Sequence, residues 1–356
     1  MNKIIGILGY GGQVGRHVVT YLKGRYPIKC GQRVITDIFQ NSEIEYSSVD
    51  VCDKAQLKKF CEGCKIIINC TGPSHYLSQK IADTVYENGS DYIDLFGTNI
   101  VKTCHDINNK VTVIGAGSFP GLSGILPIWL MQHEKEGSIR ANIFAGGNEC
   151  ITKTACIDFL MSTFSGFGKI DSFYKEQEVR KSEDSYVKMP LIFPQNAELM
   201  EYLSDEMILS AEKSKLNELH WYNVQTNLSY KKIMRSAFWE LAKNCDKSKV
   251  YTIADKVKEI LMKSRANGNN WYKIWIEIEK DKLKKNYGFN CYDSYKINGR
   301  IAALCAECLY KGIYVPGIYW PFEILDCKKV IEDLLAKKIL TQIGLKDLSD
   351  CEEGEI

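Results

Sequence analysis

The stretch Lys3-Ile-Ile-Gly-Ile-Leu-Gly-Tyr-Gly-Gly-Gln-Val-Gly-Arg-His-Val-Val19 combines three patterns in one order. An apolar run from Ile4 to Leu8 predicts a buried parallel strand. A glycine-rich turn follows, and apolar residues from Val14 to Leu22 then recur at the spacing of an amphipathic helix. The glycines of the turn are Gly9, Gly11, Gly12 and Gly15.

A strand, a glycine turn and a helix in this order are typical of a dinucleotide cradle, because glycines let the backbone approach a pyrophosphate at the helix N-terminus. Gly9, Gly12 and Gly15 follow the spacing Gly-x-x-Gly-x-x-Gly, with Gly11 as an additional glycine. A tight turn that binds nothing is the alternative, which the strand and helix context disfavours. We expect the cradle to contain Gly9, Gly11, Gly12, Gln13, Val14 and Gly15.

The composition limits the class of protein. The chain has 356 residues, which predicts two domains, and its 45% apolar and 25% charged content is typical of a soluble globular protein. A net charge of +2 provides no broad basic field, and no apolar run has the length of a membrane span. We therefore expect neither nucleic acid nor a membrane as partner. Because the glycine turn interrupts the first apolar run, we expect no signal peptide and a cytoplasmic location.

The 14 cysteines are unusual, and two pairs have Cys-x-x-Cys spacing, Cys61/Cys64 and Cys305/Cys308. Such pairs are compatible with zinc or redox chemistry. However, the first pair ends an amphipathic helix and the second lies within an apolar helix. We therefore expect reduced, buried thiols and no metal.

The second predicted strand, residues 26–33, decides the cofactor. An NAD site usually has an acidic residue at the end of this strand, whereas here Gly31 and Arg33 stand near that position. A guanidinium suits a 2′-phosphate, so we expect NADPH and consider NAD the weaker alternative. If the strand instead covered residues 33–38, Asp37 would become the ribose acceptor. Arg33 could also be a solvated surface side chain.

Two further strand ends are expected to contact the same cofactor, because ligands bind at the carboxyl ends of parallel strands. The strand 45–49 leads into Asp50 and Val51, which we expect at the adenine edge, and Asp53 is a helix N-cap. The apolar strand 65–70 delivers the residues expected near the nicotinamide ribose: Asn69, Thr71, Gly72 and Pro73.

The remaining predicted elements complete a parallel α/β domain and then change to a mixture of strands and helices. Short strands at 92–93 and 111–114 and a helix over 122–133 complete a parallel α/β domain. Beyond it, we predict strands at 138–146, 217–228 and 271–279, helices at 154–164, 247–267 and 295–312, irregular structure over 170–190, and a loop over 314–321. The 271–279 strand alternates strictly, which predicts one wet face. We therefore divide the chain into 1–124, 125–294 and 295–356.

Several landmarks in this order resemble the saccharopine dehydrogenase-like NAD(P)-dependent oxidoreductases. They lie mostly in the first 125 residues, and the middle of the chain matches in outline only. The landmarks are Gly9-Tyr-Gly-Gly-Gln-Val-Gly-Arg16, Gly31-Gln-Arg33, Val49-Asp-Val51, Ile68-Asn-Cys-Thr-Gly-Pro73, Asp91-Tyr-Ile-Asp94, the Gly115–Gly121 loop and the helix from Gly299.

The resemblance implies an N-terminal Rossmann domain with a doubly wound parallel sheet, an inserted α+β domain and a homodimer. Residues 295–356 would return to the Rossmann domain and end in a tail. The implied reaction is hydride transfer to a carbon–nitrogen double bond, on a small-molecule or carrier-bound substrate. Some members of the family are similar to enoyl or thiazoline-ring reductases.

Reduction of an imine needs hydride on carbon and a proton or hydrogen bond on nitrogen. His75 is the first candidate donor because it follows the Thr71–Pro73 loop and histidine titrates near neutrality. Tyr76 is the second, and Asp94 at the next strand end is a candidate to hold an amine or iminium. Alternatively, His75 packs against its own helix and Asp94 bonds only local amides.

Three functions remain open on this evidence. The first is NADPH-dependent reduction of a C=N bond. The second is reduction of C=C or C=O in secondary or lipid metabolism. The third is a non-catalytic sensor that binds a dinucleotide and regulates a partner.

Overall fold

The computed structural model describes residues 4–36, 38–39, 43–100, 109–134, 137–149, 151–182, 187–226, 230–263, 270–280 and 283–344. The chain divides into two compact units. The first contains the described residues up to Ile125 together with Tyr295–Val330. The second contains the described residues of Leu126–Ser294 and those from Ile331 onward.

The strands are numbered in chain order. They are β1 (Ile4–Leu8), β2 (Ile28–Gln32), β3 (Glu45–Ser48), β4 (Cys64–Asn69), β5 (Asp91–Asp94), β6 (Val111–Val113), β7 (Ile139–Gly147), β8 (Gly168–Ile170), β9 (Ser172–Lys175), β10 (Glu178–Lys181), β11 (Glu198–Ser204), β12 (Glu218–Gln225), β13 (Tyr272–Lys280), β14 (Leu283–Cys291), β15 (Gly317–Tyr319) and β16 (Thr341–Gln342).

The helices are numbered in the same way. They are α1 (Gly15–Leu22), α2 (Lys54–Cys61), α3 (Ser74–Glu87), α4 (Leu122–Glu134), α5 (Lys153–Phe164), α6 (Asp205–Ser214), α7 (Tyr230–Lys243), α8 (Lys247–Lys263), α9 (Ser294–Lys311), α10 (Pro321–Ile324) and α11 (Cys327–Ala336). None of the helices in the described ranges is both long and apolar enough to cross a membrane.

The first unit is built on a seven-stranded parallel sheet in the order β15-β6-β5-β4-β1-β2-β3. The strand order reverses at β1, which pairs with β2 on one side and with β4 on the other. This is the doubly wound Rossmann topology, and the crevice for a ligand lies at the carboxyl ends beside the reversal. The predicted α/β class is confirmed.

The centre of this sheet explains why the sequence pattern was clear. Ile5, Ile7 and Leu8 of β1 are fully buried, as are Ile66–Ile68 of β4. Strands covered on both faces carry near-continuous apolar runs, and the two runs pair directly, with Ile7 opposite Ile68. Their carboxyl ends therefore stand side by side.

The predicted loop over 314–321 is wrong, because Gly317–Tyr319 forms β15, the edge strand that pairs with β6. The strand has only three residues, all half-buried, so it has no alternation to detect. Helix α9 precedes it and packs closely on α1, since a Cβ on Gly299 would lie 2.5 Å from His17 Cβ. The Asn298 side chain also accepts a hydrogen bond from the Ser118 amide at 2.5 Å.

The second unit is built on a nine-stranded mixed sheet. Its order is β10-β9-β12-β7-β13-β14-β16, and β11 pairs with both β12 and β8. Strands β7 and β12 are parallel, whereas β13 is antiparallel to both of its neighbours. The predicted mixture of strands and helices is confirmed. The homodimer that the resemblance implies stays a prediction.

The predicted irregular structure over 170–190 is wrong, because its first part contains β9 and β10 and follows β8. The turns that connect these strands use non-glycine residues with positive φ: Asp171, Glu176 and Gln177. Glycine and asparagine are the usual signals for such turns. Because these turns contain neither glycine nor asparagine and β10 is fully exposed, the sequence pattern did not indicate the hairpin.

The predicted alternation of the 271–279 strand holds for its isoleucines, which are buried, and for Glu279, which is exposed, but it fails at one position. Trp275 lies on the face predicted to be wet but is only 7% exposed. It packs into a cluster with Phe144, Tyr222 and Phe193. The 187–197 segment contributes to this cluster and covers that part of the sheet, which local alternation cannot reveal.

Gly15 should be needed for the stability of the first unit. A Cβ at Gly15 would lie 2.2 Å from the Gly9 carbonyl oxygen, whereas one at Gly12 would meet only that oxygen at 3.3 Å. We expect Gly15→Ala to lower the free energy of unfolding by about 1–3 kcal/mol, the usual cost of forced overpacking. Thermal unfolding without cofactor measures this change. Gly12→Ala is the matched control, and equal losses in both variants would contradict the prediction.

Candidate functional site

The glycine turn lies directly against the loop that follows β4. Gly9 has φ +77°, and a Cβ there would lie 3.0 Å from the carbonyl carbon and oxygen of Cys70 and from Thr71 Cγ2. The Gly9 amide donates to the Gly31 carbonyl at 2.7 Å. The ends of β1, β2 and β4 therefore form one contiguous surface at the reversal of the sheet.

The N-terminus of α1 offers unused hydrogen-bond donors. Its N-cap, Val14, provides no side-chain cap. Within the described part of the chain, the amides of Gln13, Val14 and Gly15 donate no hydrogen bond. Free amides combined with the positive end of a helix dipole favour an anion such as a pyrophosphate. Arg16 adds a positive charge, and its guanidinium donates to the Gly11 and Gly12 carbonyls.

At the end of β2, the side chain of Gln32 contacts the glycine turn, which the sequence did not predict. The strand ends at Gln32, whose side-chain oxygen accepts from the Gly11 amide at 2.9 Å. Arg33 follows and is exposed. The alternative strand over 33–38 does not form in residues 33–36, and Asp37 lies outside the described residues.

Asp50 and Val51, which we expect at the adenine edge, follow β3 and are half-buried. The Asp50 carboxylate accepts from the Cys52 amide at 2.9 Å, and the Asp50 amide donates to Gln56 at 3.0 Å. Asp53 caps α2 as predicted. The contact with adenine stays a prediction.

The loop after β4 is shaped by the Asn69 side chain, which is fully buried. Its oxygen accepts from the Thr71 amide at 3.0 Å and from the Thr71 hydroxyl at 2.6 Å. Its nitrogen donates to Asp94 at 2.9 Å. Asn69 thus positions Thr71, Gly72 and Pro73 beside the glycine turn.

Asp94 lies at the end of β5, where four hydrogen-bond donors surround its carboxylate. Its side chain is fully buried and accepts four hydrogen bonds. Phe96 N and Ser74 Oγ donate to Oδ1 at 2.9 and 3.4 Å, and Asn69 Nδ2 and Tyr92 OH donate to Oδ2 at 2.9 and 2.5 Å. These donors occupy the lone pairs that an amine or iminium would need. The geometry therefore favours a positioning role for Asp94 in the loop, and its contact with a substrate stays a prediction.

Tyr92 and Ser74 were not predicted, because their donors converge on Asp94 only when β5 and α3 are assembled. Burial and the Asp94 charge raise the pKa of Tyr92 well above 10, so its hydroxyl remains protonated. The sequence contained one usable signal, the spacing Tyr92-Ile-Asp94, which places both polar side chains on one face of a strand.

His75 and Tyr76 lie in the first turn of α3, directly after the loop. Both are half-buried, and their rings meet edge-to-face with centroids 5.0 Å apart. Burial lowers the pKa of His75 below 6.5, so the imidazole is neutral at pH 7. The structure places both candidate donors next to the loop, and their catalytic roles stay predictions.

Of the two Cys-x-x-Cys pairs, Cys61, Cys64 and Cys305 are buried and Cys308 is half-buried. Burial raises the pKa of Cys61 to about 12 and that of Cys64 to about 11, and it also raises that of Cys305. These thiols are therefore protonated at neutral pH, which is unsuited to nucleophilic or metal-binding chemistry. In the described ranges, no three His, Cys, Asp or Glu side chains are grouped so that they could hold a metal ion.

The second unit carries a polar cluster on β12. His220 is 7% exposed, and its ring nitrogens lie 2.6 Å from Glu201 and 2.8 Å from Glu218. Phe173 stacks on the ring with a centroid distance of 4.3 Å. The adjacent Trp221 is buried as well, so the pair packs into the sheet.

Comparison with known proteins relates the first part of the chain to one family of NADP-binding domains. Residues 5–114 match the family model described as Saccharopine dehydrogenase NADP binding domain. A mouse (Mus musculus) protein described as Saccharopine dehydrogenase-like oxidoreductase is 22% identical over 108 residues. That match covers 28% of this chain and 25% of the relative, so the shared part spans about a quarter of the relative's length.

A solved structure extends the similarity in fold to nearly the whole chain. Apo histidine-tagged saccharopine dehydrogenase (L-Glu forming) from Saccharomyces cerevisiae matches 96% of this chain and 99% of that chain. The TM-score is 0.61 and the sequence identity is 11%, so this match concerns the fold alone.

The fold and the site define an NADP-binding domain of the Rossmann type. Residues 5–114 are similar to the NADP-binding domain of the saccharopine dehydrogenase family. The residues of the site fit this cofactor. The free amides at α1 suit its pyrophosphate, and the end of β2 carries a neutral side chain and an arginine instead of a carboxylate.

The role of Asp94 can be measured by Asp94→Asn. The new amide group would face donors in place of one acceptor oxygen, which leaves buried donors unsatisfied. We expect a loss of about 1–3 kcal/mol in the free energy of unfolding, measured by urea denaturation. Asp83→Asn on the exposed face of α3 is the matched control and should change it by less than about 0.5 kcal/mol. Full stability of Asp94→Asn would contradict the network.

Proposed function

We propose that this protein is a reductase that transfers hydride from NADPH to a C=N bond of a small-molecule or carrier-bound substrate. One observation supports a catalytic site most directly. The loop of Thr71–Pro73 lies against the glycine turn, and His75 and Tyr76 follow it at once. Proton-donating side chains thus accompany the place where a dinucleotide would bind.

Each part of this surface has a distinct task. The cofactor supplies the hydride chemistry, and the protein supplies binding and orientation. The amides of Gln13, Val14 and Gly15 would hold the pyrophosphate, and Thr71, kept in place by Asn69, would contact the ribose. His75, neutral at pH 7, can donate a hydrogen bond to a substrate nitrogen.

The choice of a C=N substrate follows from the family resemblance. A solved relative of the same fold is a saccharopine dehydrogenase, by its description. Reduction of C=C or C=O would use the same hydride and the same donors. Substrate class therefore has to be decided by experiment.

The decisive experiment combines cofactor binding with turnover. Nicotinamide fluorescence should reveal NADPH binding to the purified chain, and absorbance at the nicotinamide band should fall when imines are added. Enals and ketones tested in parallel decide between substrate classes. Turnover of these compounds but not of imines would overturn the C=N proposal. Tight NADPH binding without any turnover would instead indicate the dinucleotide sensor.

His75 should control the pH dependence of turnover. Because burial lowers the pKa of His75 below 6.5, the protonated ring becomes populated only as the pH falls below that value. If His75 donates the proton, kcat should rise as the pH falls from 7.5 to about 5.5. His75→Gln should lose this rise relative to wild type on the same substrate, and Tyr76→Phe should keep it. An unchanged profile in His75→Gln would exclude His75 as the donor.

Arg33 should discriminate between the two cofactors. A guanidinium that pairs with the 2′-phosphate contributes to NADPH binding and not to NADH binding. We expect Arg33→Ala to weaken NADPH by roughly tenfold or more, equivalent to about 1.4 kcal/mol, and to leave NADH nearly unchanged. Titration followed by fluorescence measures both constants. Equal effects on the two cofactors would remove Arg33 from the phosphate site.

A further inference from the structure

The additional glycine of the turn, Gly11, is not explained by the spacing of Gly9, Gly12 and Gly15. Its φ is not in the left-handed region. A Cβ at Gly11 would instead lie 2.4 Å from the side-chain oxygen of Gln32 and 3.1 Å from its nitrogen. A side chain at Gly11 would therefore displace the carboxamide of Gln32 from its hydrogen bonds.

The Gln32 carboxamide joins two parts of the chain. Its oxygen accepts from the Gly11 amide at 2.9 Å. Its nitrogen donates to the Val34 carbonyl at 2.5 Å and to the Thr36 hydroxyl at 3.0 Å. One acceptor and two donors in a single planar group are supplied by a carboxamide and not by a carboxylate, which only accepts.

A second connection fastens the same segment, residues 33–36, to the turn. The Tyr10 hydroxyl, on a fully buried side chain, donates to the Thr36 carbonyl at 2.7 Å and accepts from the Thr36 amide at 2.8 Å. Val34 and Ile35 are 72% and 48% exposed, so burial of these apolar side chains contributes little to holding the segment. Hydrogen bonds from Gln32 and Tyr10 determine its position.

We propose that Gln32 is the positioning residue that gives this site its preference for a 2′-phosphorylated dinucleotide. It holds the 33–36 segment against the glycine turn, so that Arg33 is already in place before the cofactor arrives. Its neutral side chain also stands where a carboxylate would repel the phosphate. This inference rests on the binding of NADP(H) at the glycine turn.

A double-mutant cycle tests whether Gln32 acts through Arg33. The variants are Gln32→Ala, Arg33→Ala and the double variant, with the exposed Gln342→Ala of β16 as control. We expect each single change to weaken NADPH binding by roughly tenfold. The double change should weaken NADPH binding by little more than either single change does. Dissociation constants for NADPH and NADH come from nicotinamide fluorescence, and NADH should change little throughout. The proposal would be overturned if the two losses of NADPH affinity multiplied in the double variant, or if NADH affinity fell equally.

A second measurement tests the pairing of Gly11 with Gln32 without any cofactor. Gly11→Ala should lower the thermal midpoint in the wild-type background, because the new methyl group displaces the carboxamide. In the Gln32→Ala background, the same change should cost much less, because the space is vacant. Equal costs in the two backgrounds would overturn the pairing. Failure of wild-type protein to bind either cofactor would instead refute the NADP assignment itself, so the two failures are distinguishable.

Discussion

The absence of a side chain at Gly15 sets the distance between α1 and the end of β1. The Gly9 carbonyl oxygen occupies the volume that a Cβ would need, 2.2 Å away, so the helix begins directly against the strand. The free amides at the N-terminus of α1 therefore lie at the same edge of the sheet at which β4 ends. The contact of Gly9 with Cys70 and Thr71 then brings the β4 loop to this edge. An ordinary residue at Gly9 or Gly15 would separate the parts that form the candidate cofactor site.

Two carboxamides organise the site on the two sides of β1. Gln32 at the end of β2 fixes the segment that carries Arg33, and Asn69 at the end of β4 fixes Thr71. Each uses both its acceptor and its donors, which connects the surrounding backbone without placing a net charge beside the expected phosphate site. The negatively charged side chain of Asp94 is fully buried, and four hydrogen-bond donors satisfy its carboxylate.

The sequence predicted the elements whose environment is local. The apolar runs of β1 and β4 are continuous because both faces are buried, and the glycine turn has a recognisable spacing. It did not predict β15, which is defined only by its pairing with β6, or the β9–β10 hairpin, whose turns lack glycine. The site followed the same rule. Gln32 joins Gly11 and Asp94 joins Asn69 across more than 20 residues of sequence, and only the Tyr92-Ile-Asp94 spacing gave a local sign of either network.

The first unit uses two separate parts of the chain, and this has a consequence for its assembly on the ribosome. Strand β6 shows an unpaired edge until β15 has been synthesised, and that happens only after β7 to β14 of the second unit. An open edge is a site of unwanted pairing with other chains. The first unit therefore stays incomplete while the strands of the second unit are synthesised, and a fragment ending at Ile125 would expose the same edge permanently.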